Sequence, residues 1–487
     1  MFARGFAAAL FALIFVPSLD AADPPAKKMF RAGAFAMDVT PTELPVIVNG
    51  GMTEAKADKI VDRLHARCLV LDDGTTSIVI AVVDNCMMPR DLLDEAKRMA
   101  SAATKIPPER MLISATHTHA APSVTGCLGS DVDTKYAAVL PGLIARGIER
   151  AYQNLAPAQI GWGAGRDEKN IYCRHFLMKP GTATTNPFSG TRDDLAQMNP
   201  GFNNPNILRR TSVVDTEVSV LAVRAPNGRP LAVLGNYSTH YAGSPAISSD
   251  YFGVFCDKIA THVKADEQEP RFVGLMTNAT SGDANCVDFF ANPPRKFDYH
   301  SVGADVAAAA FEGYQKIEWF DWVPIVMAES KLTLKVRLAD AEELAKAKEV
   351  VAELKGGKPK TVPQVYAREA VLLSEMPPTR ELKLQAIRLG DLGISAIPNE
   401  VFNITGLTIK QRSPIAKNFT IELANGAEGY IPPPDQHALG GYTAWRARTA
   451  CLEVLAEPKI LVEVLDLLAK VHKERRDEKS VTAATPK

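Results

Sequence analysis

The run ISATHTHAAP (residues 113–122) carries a β-like segment straight into His117-Thr118-His119. Residues two apart on an extended chain project to the same side, so both imidazoles face one space, an arrangement suited to a metal ligand beside an acid/base group. Taken alone, an HxH is also readable as a pair of incidental histidines. Three further apolar runs end in polar residues: LAVLGNYSTHYAG enters His240, FVGLMTNATSGDAN enters Ser281-Gly282-Asp283, and IPNEVF delivers Glu400. Open α/β sheets build sites just past the carboxyl ends of strands, which makes His117, His119, His240, Asp283 and Glu400 candidates for one site. The tract TSGD has two readings, Ser281 as a nucleophile or a turn in which Gly282 bends the chain and Asp283 caps a helix. No GxSxG elbow, Walker loop, post-strand GxGxxG or HExxH is present.

Positioning such residues requires regular elements, and hydrophobic periodicity supplies them. Strands are predicted over Ser77 to Val83, Met111 to Thr116, Val218 to Val223, Leu231 to Asn236 and Phe272 to Thr277. Helices are predicted over Asp91 to Ala102, Tyr136 to Leu155, Tyr251 to Val263 and Val302 to Ile317, each with apolar residues three and four apart. This alternation implies an α/β fold, a large mixed twisted β-sheet flanked by helices, in a single catalytic domain with no internal sequence repeat. Lys179 to Arg209, rich in Gly, Pro, Asn and Thr, is expected to be a long loop, either covering a site or lying idle on the surface. A charged helix is expected from Asp340 to Lys355, stopped by Gly356 and Gly357. LQAIRLG and LGISAIP form a hairpin around Asp391 leading into a helix starting near Asn399, and Pro458 opens a last helix to about Arg476.

The chain has 487 residues, of which 46% are hydrophobic and 23% charged, a globular composition that excludes disorder and a small disulfide scaffold. A net charge of −1 provides no electrostatic pull toward nucleic acid. A mean hydropathy of −0.05 argues against an integral membrane protein, while leaving open a membrane-bound substrate reached by contact at the membrane surface. Arg4, the apolar run from Gly5 to Val16, Pro17 and SLDAA have the order of a secretory signal cleaved near Ala21 or Ala22, so a secreted or periplasmic location is expected; an N-terminal anchor is the other reading. The cysteines at 68, 86, 127, 173, 256, 286 and 451 form no CxxC pair and are expected mostly as buried small hydrophobes.

From about Met37 to Trp445 the chain resembles the catalytic N-terminal domain of the neutral/alkaline, non-lysosomal ceramidases. The resemblance is carried by DVTP (38–41), LHARCLVL (64–71), SATHTHAAP (114–122), Asn170 with Arg174, NYSTHYAG (236–243), SGDAN (281–285), IPNEVF (397–402) and the tyrosines of GYIPP and GGYTAW, in the family's order. It implies a Zn²⁺ ion held by His117, His240, Glu400 and Tyr430, with His119, Arg174 and Tyr442 facing the substrate. Tyr430 and Tyr442 stand twelve residues apart, as the family's two tyrosines do. On the residues alone, packing plus a hydrogen bond is the ordinary role of such tyrosines. In the implied chemistry a metal-activated water attacks an amide carbonyl, Arg174 or Tyr442 stabilises the oxyanion and His119 passes the proton to the leaving amine. Asp283 is included among the catalytic candidates.

Two departures accompany the matches. Asn285 stands where the family has a serine, which weakens any serine-hydrolase mechanism. The chain ends about forty residues beyond GGY, so the immunoglobulin-like C-terminal domain of true ceramidases is expected to be absent, and ceramide is in doubt as substrate. The expected organisation is a signal over 1–21, a spacer over 22–28, a ceramidase-like zinc hydrolase domain over 29–476 and a polar tail over 477–487. The expected function is hydrolysis of an N-acyl amide, from a ceramide-like lipid or a related small molecule. The alternatives are the same fold acting on a non-lipid amide or an ester, and a non-catalytic, metal-containing binding protein.

Overall fold

A computed structural model describes residues 1–2 and 28–474. The signal segment from residue 3, the spacer up to residue 27 and the 477–487 tail lie outside the described residues. No described helix is long and apolar enough to cross a membrane.

Runs of Val, Ile, Leu and Ala form strands buried on both faces, as in sheets covered by other layers. In Ser77–Val83, for example, only the first residue has measurable exposure. The strands are organised in a unit that occurs three times. The first unit comprises the strands Arg31–Asp38, His65–Asp72 and Ser77–Val83, the helix Arg90–Thr104, the strand Met111–Ala115 and the helix Thr134–Gln153. The second comprises Gln159–Arg166, Glu217–Arg224, Pro230–Tyr237, the helix Asp250–His262, Val273–Asn278 and the helix Tyr299–Tyr314. The third comprises Ile325–Lys335, Thr379–Leu389, Leu392–Ala396, the helix Asn403–Arg412, Lys417–Ile421 and the helix Ala456–Lys473. Within each, the first strand runs antiparallel to the second, the second antiparallel to the third, and the third parallel to the fourth.

Strand alternation explains how the units pack. Inward residues of all three sheets, among them Leu69, Ile80, Leu221, Leu234, Leu275, Ile387, Ile394 and Phe419, share one central core. Outward residues are covered by each unit's own helices: Val79 and Ala81 by Leu93, Ile144 and Ile148; Val220 and Met276 by Phe255 and Val306; Leu382 and Leu384 by Ile409, Ile460 and Val464. The architecture is thus mixed α/β, and the expected large sheet is divided into three, flanked by helices. The repeat is topological and leaves no trace in the sequence, because each position keeps only its inward or outward apolar character.

This topology also dictates where chemistry can be placed. The first, third and fourth strands of each unit are parallel, so their carboxyl ends lie at one edge of the sheet. Residues just past them are stitched together across units: Ala115 N–H donates to Leu423 O, Glu422 N–H to Asn278 O, and Gly282 N–H to Val401 O. The excursions that follow the first strands, 39–64, 167–216 and 336–378, leave from that same edge.

Element boundaries differ from expectation where tertiary contacts decide. No helix starts near Asn399: Glu400–Val401 is a short strand parallel to Tyr430–Ile431, and the helix begins at Asn403, whose N–H donates to the Asp283 carboxylate. The Lys179 to Arg209 region is largely loop, but Ala196–Met198 and Ile207–Arg210 pair on either side of His175–Met178. The helix Val362–Ser374, opened by a Thr361/Gln364 capping box, was not expected.

Candidate metal centre

Just past Met111–Ala115 the chain turns sharply, and His117 sits at φ +74°, a left-handed conformation that a β-carbon disfavours. The turn is over-determined. Its N–H donates to Asn85 O at 2.9 Å, and the ring Nδ1 lies 2.7 Å from Cys86 O. A carbonyl only accepts, so Nδ1 carries the proton and Nε2 presents a bare lone pair. His240, past the end of Pro230–Tyr237, can repeat the device: its Nδ1 lies 3.3 Å from Ser281 O and from Arg174 Nη2, and donation to the carbonyl is the tautomer that frees Nε2 for a cation. Burial first, then the neighbouring Arg174 cation, holds the His240 imidazole well below its ordinary pKa.

The two Nε2 atoms are 2.9 Å apart, and Glu400 Oε2 lies 3.3 Å from one and 4.0 Å from the other. In that pair of tautomers the 2.9 Å contact holds no proton and the site is open to a cation. Glu400 Oε2 is buried without a hydrogen-bond donor among the described residues. Three electron-pair donors therefore face one point, each from a different unit, and repel one another unless a cation lies between them. Two imidazoles and one carboxylate form the kind of three-residue set that holds catalytic zinc. The two-residue ladder sets Tyr430 directly beside Glu400. Its phenol is hydrogen-bonded to Glu400, accepts from Arg174 Nη2 at 3.2 Å and is kept protonated by burial, Glu400 adding to the upward shift of its pKa. A second cluster, Cys86 with His117 and His119, suits a metal less well, because burial pushes the Cys86 thiol far above its ordinary pKa.

A cavity of about 280 Å³ opens onto this centre. His119, Arg174, His240, Tyr430 and Tyr442 line it, together with Gly50, Tyr241, Gln197, Asn199 and Trp445. His119 Nε2 approaches His117 Nε2 to 3.3 Å, and its ring stacks on Tyr241 with centroids 3.8 Å apart. Burial and the adjacent His117 and Arg174 lower its pKa well below the ordinary value. Arg174 Nη2 donates to Gly282 O at 3.1 Å and lies 3.3 Å from both ring nitrogens of His240. Tyr430 and Tyr442 meet edge to face at 5.5 Å.

Seven of the eight sequence candidates are thus brought together, His117 and Glu400 behind the cavity wall and the other five on it. Asp283 is not among the residues that line the cavity. Its carboxyl turns away, accepting Asn403 N–H at 2.7 Å and Asn403 Nδ2–H at 3.2 Å, so it sets the start of a helix and the register of Glu400. Ser281 is spent in a similar way, donating from Oγ to Glu422 at 2.6 Å while accepting from Asn278 Nδ2 at 3.0 Å. Asn285 pairs with Tyr172 in a short ladder, and its Nδ2 donates to Asn199 Oδ1 at 3.2 Å, bracing a cavity wall. Sequence reasoning missed Gly50 and Tyr241. The Gly50-Gly51 doublet and the residue next to His240 were visible signals, but only the fold places Gly50 against His119.

No protein-family model matches the chain, and no curated protein matches it. Its fold is that of solved neutral ceramidases. The enzyme from Pseudomonas aeruginosa superposes with a TM-score of 0.67 at 16% identity, over 94% of this chain and 76% of that one. A ceramidase complexed with C2 gives a TM-score of 0.66 at 15% identity, over 94% of this chain and 77% of that one.

Proposed function

We propose that this chain is an exported zinc-dependent amidohydrolase that cleaves an N-acyl amide. The observation that carries the reading is the donor set: His117 Nε2, His240 Nε2 and Glu400 Oε2 converge on one point, on a fold shared with neutral ceramidases. A Zn²⁺ ion bound there supplies Lewis-acid activation of water and of an amide carbonyl. The protein contributes orientation and proton handling. Tyr442, packed edge to face on Tyr430 at 5.5 Å, is placed to donate to the carbonyl oxygen that becomes negative, with Arg174, fixed by Gly282 O and Tyr430, beside it. His119, neutral at rest and stacked on Tyr241, is placed to take a proton and deliver it to the leaving amine.

The cavity favours one alternative over ceramide itself. At about 280 Å³ it lies just below the roughly 300 to 1,000 Å³ of ordinary ligand sites, so it would hold a compact amide whole, whereas the chains of a two-chain lipid would extend beyond it. A non-lipid amide is therefore the better-supported substrate. Metal analysis of the purified protein tests the centre: about one equivalent of zinc is expected in the wild type and far less in His117→Ala. Less than about half an equivalent, unchanged by the substitution, refutes it.

A further inference from the structure

The charge inventory of the cavity points to a feature of its substrate. Among the residues lining it there is no Asp, Glu or Lys, and its one permanent charge is Arg174. Arg174 is 6% exposed, and among the described residues its guanidinium has no carboxylate within salt-bridge distance. Its contacts with the protein, to Gly282 O, Tyr430 and His240, are all made through Nη2, and Nε is buried without a partner. The groups that touch it are a phenol, an imidazole and a backbone carbonyl, and none of them is a carboxylate. Glu400, whose charge favours the Arg174 cation, faces the two imidazoles.

A buried cation left unpaired is costly. Arg67, which is 5% exposed, is by contrast neutralised by Asp84 at 2.6 Å. Arginine is the side chain suited to fork-like recognition of a carboxylate. We propose that the substrate is a compact amide carrying a carboxylate, an N-acyl amino acid in class, whose carboxylate pairs with Arg174. The proposal rests on the amidohydrolase reading above. Because Arg174 adjoins His240, that carboxylate lies within a few bonds of the scissile carbonyl. The reaction balances as RCO–NHR′ plus water giving RCOO⁻ and R′NH₃⁺: the C–N bond breaks, a C–O bond forms, and both water protons reach the amine.

Two isosteric probes test it, N-hexanoylglycine and its carboxamide N-hexanoylglycinamide, with zinc-loaded wild-type protein, binding being followed by calorimetry and turnover by amine release. Roughly tenfold or greater preference for the carboxylate is expected in Kd and KM, and Arg174→Met is expected to bring the ratio close to one. Arg174→Lys, which keeps the charge, is expected to retain part of the preference, and the wild-type comparison needs no variant to fold. Equal handling of both probes, or better turnover of a long-chain N-acylsphingosine, overturns the inference while the amidohydrolase reading survives. Carboxylate-selective binding without turnover of any amide sinks that reading and leaves the recognition by Arg174 standing.

Discussion

Replacing Gly50 by alanine is expected to disable His119 while leaving the proposed metal ligands untouched. Gly50 has φ +96°, and a β-carbon built there falls 2.3 Å from His119 Nδ1 and 2.6 Å from its Cγ. Ordinary contact begins at 3.4 Å, so the ring is about 1.1 Å too close. It has nowhere to retreat, because Tyr241 stacks on it at 3.8 Å. A displacement of about 1 Å in a reacting group costs on the order of 10²-fold in rate. The left-handed backbone adds a separate penalty of about 1–2 kcal/mol in stability. The assays are kcat/KM on a short N-acyl amide, urea unfolding and zinc content. The expected result is activity down about a hundredfold, unfolding at lower urea, and zinc unchanged, since His117, His240 and Glu400 do not touch Gly50. Activity in Gly50→Ala within about threefold of wild type, or a loss of zinc matching the loss of activity, refutes the role given to His119.

Two further outcomes follow from buried charge. His175 is fully buried with Nε2 unpartnered, and burial, then Arg174, lowers its pKa from 6.5 to about 4. Between those values the unfolded chain binds a proton that the folded one does not, so stability falls with falling pH, by about 2 kcal/mol from pH 7 to pH 5. Urea titrations at the two pH values should show His175→Gln with a correspondingly flatter dependence, and an identical dependence contradicts the assignment. Glu369, 0% exposed, is held by Arg448 through contacts of 2.7 and 3.0 Å. Arg448→Met leaves that carboxylate with only the backbone N–H of residue 448, at 2.8 Å, and is expected to cost about 3 kcal/mol by chemical denaturation, much of it recovered in Arg448→Met with Glu369→Leu. A loss below about 1 kcal/mol shows that Glu369 is otherwise compensated.

The sequence made the strand-end histidines legible because strand ends announce themselves locally: an apolar β-branched run stops and a polar residue follows. His117, His240 and Glu400 were all found in this way. Tyr430 was found only through family resemblance, since its place depends on a two-residue ladder formed with a strand thirty positions away. Asp283 shows the limit of the method. It follows a buried strand as His117 does, yet the chain turns once more through Gly282, whose added β-carbon would lie 3.0 Å from Glu400 O, and its carboxyl points to Asn403. Side-chain direction past a strand end is set by contacts that no local pattern encodes. The cysteines were simpler, and all seven are free and buried, as expected of small hydrophobes.

The threefold topology explains why the centre has one member from each unit and why the sequence conceals the repeat. His117 stands two residues past the fourth strand of its unit, and the equivalent positions are Thr280 and Leu423. Leu423 keeps the left-handed backbone, φ +49° against +74° for His117, but carries no metal-binding atom. His240 stands three residues past a third strand, where the other units have Cys86 and Asn399. Cys86 offers its carbonyl to orient His117, and Asn399 donates from Nδ2 to Gly429 O at 3.0 Å, beside the Glu400–Tyr430 ladder. Equivalent loops therefore divide the work: one presents a donor atom while its counterparts orient the donors of the others. A symmetric set of three identical loops would supply three ligands and leave none of them oriented. Divergence of the three loops is what a single ordered cation site requires, and that divergence removes the repeat from the sequence while the sheets, which need only alternate apolar faces, preserve it in the fold.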